Sequence, residues 1–149
     1  MTLKKQAHQF FYSSIRHKIA IQQDVLSDLN YSAANETKST AGDKHETALA
    51  MLQIEQAHVG KKVTELKLQL LEISQIDETK INKTAALGSL IKTDTGYFYL
   101  SAALGKANIE NENIFALSIR SPLGILFMGK KVGSQINFNK ITYTILALL

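Results

Sequence analysis

The 149 residues contain no cysteine. Disulfides, thiolate metal sites and every mechanism with a cysteine nucleophile are excluded, including the acyl transfer of ketoacyl condensing enzymes. Proline occurs once, at Pro122, and the stretch from Leu3 to Ala34 holds neither proline nor glycine, so nothing in it breaks a helix. Long apolar runs are also missing. The N-terminus alternates charged and aromatic residues without the apolar core of a signal peptide. The apolar tail Ile145 to Leu149 is far short of the ~20 residues a spanning helix needs. No membrane association is expected, and a cytoplasmic location follows by default.

With 45% apolar and 20% charged residues, the composition suits an ordinary soluble protein of one domain or two small ones. The net charge of +4 is unevenly spread. Residues 1–18 carry Lys4, Lys5, Arg16 and Lys18 and no acid, whereas residues 19–60 set two lysines against six acids. Residues 61–80 balance, and residues 81–149 hold seven bases and three acids. The chain is therefore acidic in its middle and basic at its flanks.

Phe11, Ile15, Ile19, Gln22, Leu26 and Leu29 recur at spacings of three and four, which predicts an amphipathic helix from Leu3 to about Ala34. A second helix is predicted from Asp43 to about Ile76, with Leu52, Val59, Val63, Leu66, Leu70 and Ile73 on a narrow heptad seam. Between them, Asn35 to Gly42 is small and polar, as an exposed connection requires. Residues 1–80 thus read as an antiparallel coiled-coil hairpin with its tip at about 35–43, whose acidic part lies at the far end. At ~1.5 Å per residue each helix would run ~45–50 Å, more than the remaining residues could wrap, so the hairpin is expected to project. Gly60, inside the second helix, marks either a close approach or a soft point.

After Asp77 to Lys80 the period becomes strand-like. Leu87–Lys92, Tyr97–Ala102, Ala107–Ile109, Asn113–Ser118, Gln135–Phe138 and Thr142–Leu146 are the candidates, with Thr93 to Gly96 as a turn. Leu123 to Lys130 reads as one short helix, Pro122 near its first turn and Gly129 near its end. Residues 81–149 are therefore expected to form a small antiparallel sheet domain, and the whole chain an α+β protein.

Two long antiparallel helices, then Ser121-Pro122-Leu123-Gly124, an apolar helix, Gly129-Lys130-Lys131-Val132-Gly133 and a final hairpin: this order resembles the Gre family of bacterial transcript-cleavage factors. The segment Asp43-Lys44-His45-Glu46-Thr47-Ala48, with Gln53 and Glu55 following, looks like the part just after the coiled-coil tip in that family. The resemblance covers nearly the whole chain. It implies an FKBP-like fold for residues 81–149 and docking on core RNA polymerase, here through Ser121, Pro122, Leu123, Gly129, Lys130 and Lys131. It also implies insertion of the tip into the polymerase's secondary channel, close to nascent RNA. There the acids of the tip would assist the polymerase's own Mg²⁺ during cleavage of backtracked RNA. The free protein would hold no stable metal or cofactor and would not be an enzyme by itself.

The carboxylates available for this are Glu36, Asp43 and Glu46, and the i, i+3 spacing of the last two puts both on one helix face. Mg²⁺ takes oxygen ligands and keeps several waters, so one or two carboxylates brought from outside complete a site that another protein builds. Aligning His45 on the family's tip histidine places the uncharged Thr37 and Thr40 at the two acidic positions. Aligning on acid spacing selects Asp43 and Glu46 instead. The same pair also forms a capping box for the second helix. Competing readings are a non-catalytic Gre-like or Rnk-like regulator that competes with cleavage factors, and a coiled-coil interaction scaffold. The heptad stripes point to an intramolecular seam and a monomer, with homodimerisation as the competitor. His8, His17, His45 and His58 include no pair three or four apart, so they are read as solvated rather than as a metal site. Lys106, Arg120 and Lys140, with Lys130 and Lys131, form either a basic face or a merely solvated surface.

Overall fold

The computed structural model describes the backbone of residues 1–36 and 42–149, and the side chains of 1–36 and 46–149. The fold is α+β: two long helices, then a six-stranded sheet with one short helix. Contacts divide the chain into two units, one of residues 1–14 and 69–149, the other of residues 15–68.

The second unit is helical. It holds most of α1 (Leu3–Glu36) and α2 (Gly42–Ser74). Ile15 and Ile19 of α1 and Val59, Val63 and Leu66 of α2 are buried. Gln22, Leu26, Leu29 and Ala33, and Leu52 and Gln56, continue the two stripes as half-buried positions. This alternation of threes and fours is the seam read from the heptads. Gln56 Nε2 donates to Asn30 Oδ1 at 2.8 Å, while Lys18 and Gln22 share a groove with Lys62 and Leu66. As numbers rise on one helix they fall on the other, so the two run antiparallel. Gly60 is not a close approach: a β-carbon added there meets nothing within 4 Å.

The first unit is built on β1 (Leu90–Thr93), β2 (Gly96–Ser101), β3 (Gly105–Ile109), β4 (Glu112–Ser118), β5 (Gln135–Phe138) and β6 (Ile141–Leu148), in the order β3-β4-β2-β1-β6-β5. The six strands and the helix α3 (Pro122–Phe127) fall where the sequence predicts them, to within a few residues. The expectation of a purely antiparallel sheet is corrected, because β2 and β4 pair in parallel. Strand β3 does not lie beside β2. It hairpins onto β4 through Glu110 and Asn111, both at positive φ, and β4 fits between them. Residue periodicity reports which side chains share a face, not which strand lies next to which.

Each face of the sheet has its own cover. Alternation in β2 sends Tyr99 to one side and Phe98 and Leu100 to the other. On the first side Phe11 of α1 stacks on Tyr99, ring centroids 6.3 Å apart, and both are buried. On the second, Ala85, Ile91, Phe98, Leu100, Leu123, Phe127, Ile136 and Ile145 form one buried cluster.

Three polar residues meet on the first side, and of these the sequence predicts His8 to be solvated. Lys4 is just 4% exposed, and its ammonium donates to the carbonyls of Lys80 (2.6 Å) and Leu149 (3.1 Å). It adds nothing to a basic surface. One turn along α1, half-buried His8 is not solvated: its Nδ1 lies 2.7 Å from the Tyr99 hydroxyl. Burial lowers the pKa of both Lys4 and His8, against the pull of Glu78, and burial raises that of Tyr99. These shifts describe a neutral His8 and a protonated Tyr99 sharing the hydrogen bond between Nδ1 and the hydroxyl.

Candidate docking site

The turn from β4 into α3 is set by Ser121. Its hydroxyl donates to the Ser118 carbonyl at 2.6 Å and accepts the Gly124 N–H at 3.0 Å, which caps the helix. Pro122 follows in the first helical turn, where its missing N–H costs nothing. Position 124 has to be glycine. A β-carbon there would sit 2.0 Å from the Ser118 carbonyl oxygen and 2.8 Å from Ser121 Oγ, so the helix rests with its bare backbone on the end of β4. That close approach brings Leu123 and Phe127 into the buried cluster.

The far end of α3 is tied back through main chain. Gly129, at φ +78°, donates its N–H to the Ala85 carbonyl (2.7 Å), and the Ala85 N–H donates to the Lys130 carbonyl (2.8 Å). The side chains of Lys130 and Lys131 are exposed.

Beside α3 the sheet carries a cavity of about 420 Å³. Phe98, Phe115, Leu117, Leu123 and Tyr143 line it, and Lys106 stands at its mouth. Phe98 lies 5.2 Å from Phe127, 5.3 Å from Tyr143 and 6.2 Å from Phe115, centroid to centroid. The Lys106 ammonium is 6.0 Å from the Phe115 centroid, within cation–π range. Of the residues expected to dock a partner, Leu123 lines this cavity, and Ser121, Pro122, Gly129, Lys130 and Lys131 do not. Sequence reasoning missed Phe98, Phe115 and Tyr143. The signal present was the period-two run Asn113, Phe115, Leu117, which shares one face of β4, but the neighbour it needs on β2 depends on the unforeseen parallel pairing.

The tip acids belong to the helical unit. Glu36 is half-buried at the end of α1, and Glu46 is exposed in the first turns of α2. Asp43 lies outside the described side chains, as do Thr37, Thr40 and His45. Among the described residues no three His, Asp or Glu side chains converge as metal ligands, and no helix is long and apolar enough to cross a membrane.

No protein-family model and no curated protein matches the sequence. Among solved structures, the chain is similar to one titled "Structure of the transcription factor Gfh1", at 15% identity and a TM-score of 0.38, covering 92% of each chain.

Proposed function

We propose that the protein is a Gre-like transcription factor that docks on core RNA polymerase and modulates elongation by presenting the connection of its helix pair to the secondary channel. The observation that supports this best is the Ser121-Pro122-Leu123-Gly124 turn. The residues that carry the family resemblance are also those that seat α3 on the sheet, with a capping serine and a glycine that admits no β-carbon. The antiparallel helix pair preceding the sheet is the second element the resemblance calls for. On this reading the sheet unit is the FKBP-like docking part and the protein acts as a cytoplasmic monomer.

Glu36 and Glu46 flank the connection, and Asp43 stands beside it in sequence. As hard oxygen donors they would serve a Mg²⁺ ion held by the polymerase, which supplies the Lewis acid and the activated water for phosphodiester cleavage. This chain's own contribution is to deliver and orient carboxylates. On this reading the phosphodiester chemistry belongs to the polymerase and not to this chain.

Two experiments test the proposal. Tagged protein should retain core polymerase through a salt wash, and failure to do so rejects docking. In a backtracked elongation complex, the Asp43→Ala/Glu46→Ala variant should lose stimulated RNA cleavage while still binding. Cleavage equal to the unmodified protein's rejects the role given to the acids. Absence of cleavage by the unmodified protein, with polymerase still bound, selects the competing regulator.

A further inference from the structure

The cavity beside α3 has an apolar floor, an apolar rim open to solvent and one unneutralised cation. Phe98 and Tyr143 form the floor, meeting nearly perpendicular at 87°. At the rim Phe115 is 43% and Ile141 47% exposed, a large apolar outlay for a surface that folding alone does not require. The volume of about 420 Å³ lies in the lower part of the range of small-molecule sites, ~300–1,000 Å³, but the opening is broad. A broad mouth with exposed rim side chains suits a side chain delivered on another polypeptide better than an enclosed small molecule.

The charge at this mouth is positive. Lys106 has no carboxylate partner among the described residues, and its one described contact is with the Phe115 ring. Lys140 adjoins Ile141 in sequence and is exposed. The carboxylate of Asp94, beside the lining residue Thr95, accepts the Thr144 N–H at 3.0 Å and keeps its charge, so that set against Lys106 and Lys140 it leaves one net positive charge. Asn113, also lining the cavity, has its carbonyl taken by the Asn108 amide at 3.1 Å. A partner segment meets apolar surface and a cation that has no carboxylate partner among the described residues. An acidic occupant gains attraction at this rim, and a basic one meets repulsion.

We infer that this cavity is the specificity pocket of the docking surface: it takes an aromatic or branched apolar side chain from a protein segment that carries a carboxylate one or two residues away, paired with Lys106. The inference deepens the docking reading above and rests on it for the partner being a protein. Phe115 is the anchor's stacking platform, and Lys106 selects for the acid beside it.

The test uses the full-length, ¹⁵N-labelled chain and two peptides, acetyl-Glu-Leu-Phe-amide and its Gln counterpart. The acidic peptide should shift the amides of Gly96, Lys106, Phe115 and Tyr143 and bind about threefold to fivefold more tightly than the neutral one at low salt, the preference one exposed ion pair supports. Phe115→Ala should weaken both peptides. Lys106→Glu, at an exposed site where folding is not at risk, should abolish or reverse the preference. Equal binding of both peptides, shifts confined to other amides, or a preference that survives Lys106→Glu would overturn the inference. So would a concentration-dependent dimer that buries the same amides, which would make a second copy the occupant. The titration needs no polymerase. Peptide binding as expected with failed polymerase retention sinks the polymerase reading alone, and the reverse result sinks the pocket alone.

Discussion

Two glycine-to-alanine changes should have opposite signs, and the structure says by how much. At Gly124 the added β-carbon would lie 2.0 Å from the Ser118 carbonyl oxygen, against a floor of about 3.0 Å for real β-carbon contacts. The helix must retreat by roughly 1 Å. The obstructing atom is backbone at the end of a strand paired on both sides, so it yields little. Retreat stretches both bonds of Ser121, and a lost N-cap costs ~1 kcal/mol while overpacking costs ~1–3. Alanine's better helix propensity returns less than ~1 kcal/mol. Gly124→Ala should therefore destabilise by about 1–3 kcal/mol. At Gly60 nothing lies within 4 Å and the residue is inside α2, so Gly60→Ala should stabilise by about 0.5–1 kcal/mol. Urea denaturation followed by far-UV circular dichroism measures both. A Gly124→Ala protein as stable as the parent would refute the packing of α3 on β4. A Gly60→Ala protein less stable than the parent would show an unseen contact on that helix.

Lys4→Met keeps the stem and removes the ammonium that serves the Lys80 and Leu149 carbonyls. Because the Leu149 carbonyl also accepts from the Leu90 N–H, the loss falls mainly on Lys80, and the urea midpoint should drop by the equivalent of about 1–2 kcal/mol. For His8 the folded-state pKa lies below the ordinary 6.5, chiefly through burial, so the unfolded chain binds the proton first as pH falls. Stability should be full above that ordinary value and decline as pH drops through it toward the folded-state pKa. His8→Asn, which retains an acceptor for Tyr99, should flatten that decline; an unchanged pH profile in the variant would remove His8 as its source.

Much of the architecture was open to reading because it follows from local rules. The heptad spacing gave the stripe of Ile15, Ile19, Val59, Val63 and Leu66, and Pro122 and Gly129 bracketed α3 by their backbone preferences. What stayed hidden depended on residues distant in sequence. Lys4 and His8 looked like helix surface because their partners, Lys80, Leu149 and Tyr99, are 76, 145 and 91 residues away. Gly124 looked like punctuation, although its role is steric and its obstacle, Ser118, belongs to the preceding strand. The cavity was illegible for the same reason: Phe98 and Phe115 become neighbours only because β2 and β4 run parallel. The tip acids were nameable through the family resemblance and their place beside the predicted turn; the i, i+3 spacing of Asp43 and Glu46 fixes a helix face and not a function.

The bond between Lys4 and Leu149 bears on how the protein is born. Lys4 leaves the ribosome 145 residues before Leu149, whose carbonyl its ammonium meets, and Phe11 leaves it well before Tyr99. The helical unit, whose contacts are comparatively local, is free to form during synthesis. The sheet unit has to wait for Tyr99 before Phe11 is covered and for Leu149 before Lys4 has both its acceptors. In that interval an aromatic face stands uncovered on the nascent chain, and chaperones would find it there.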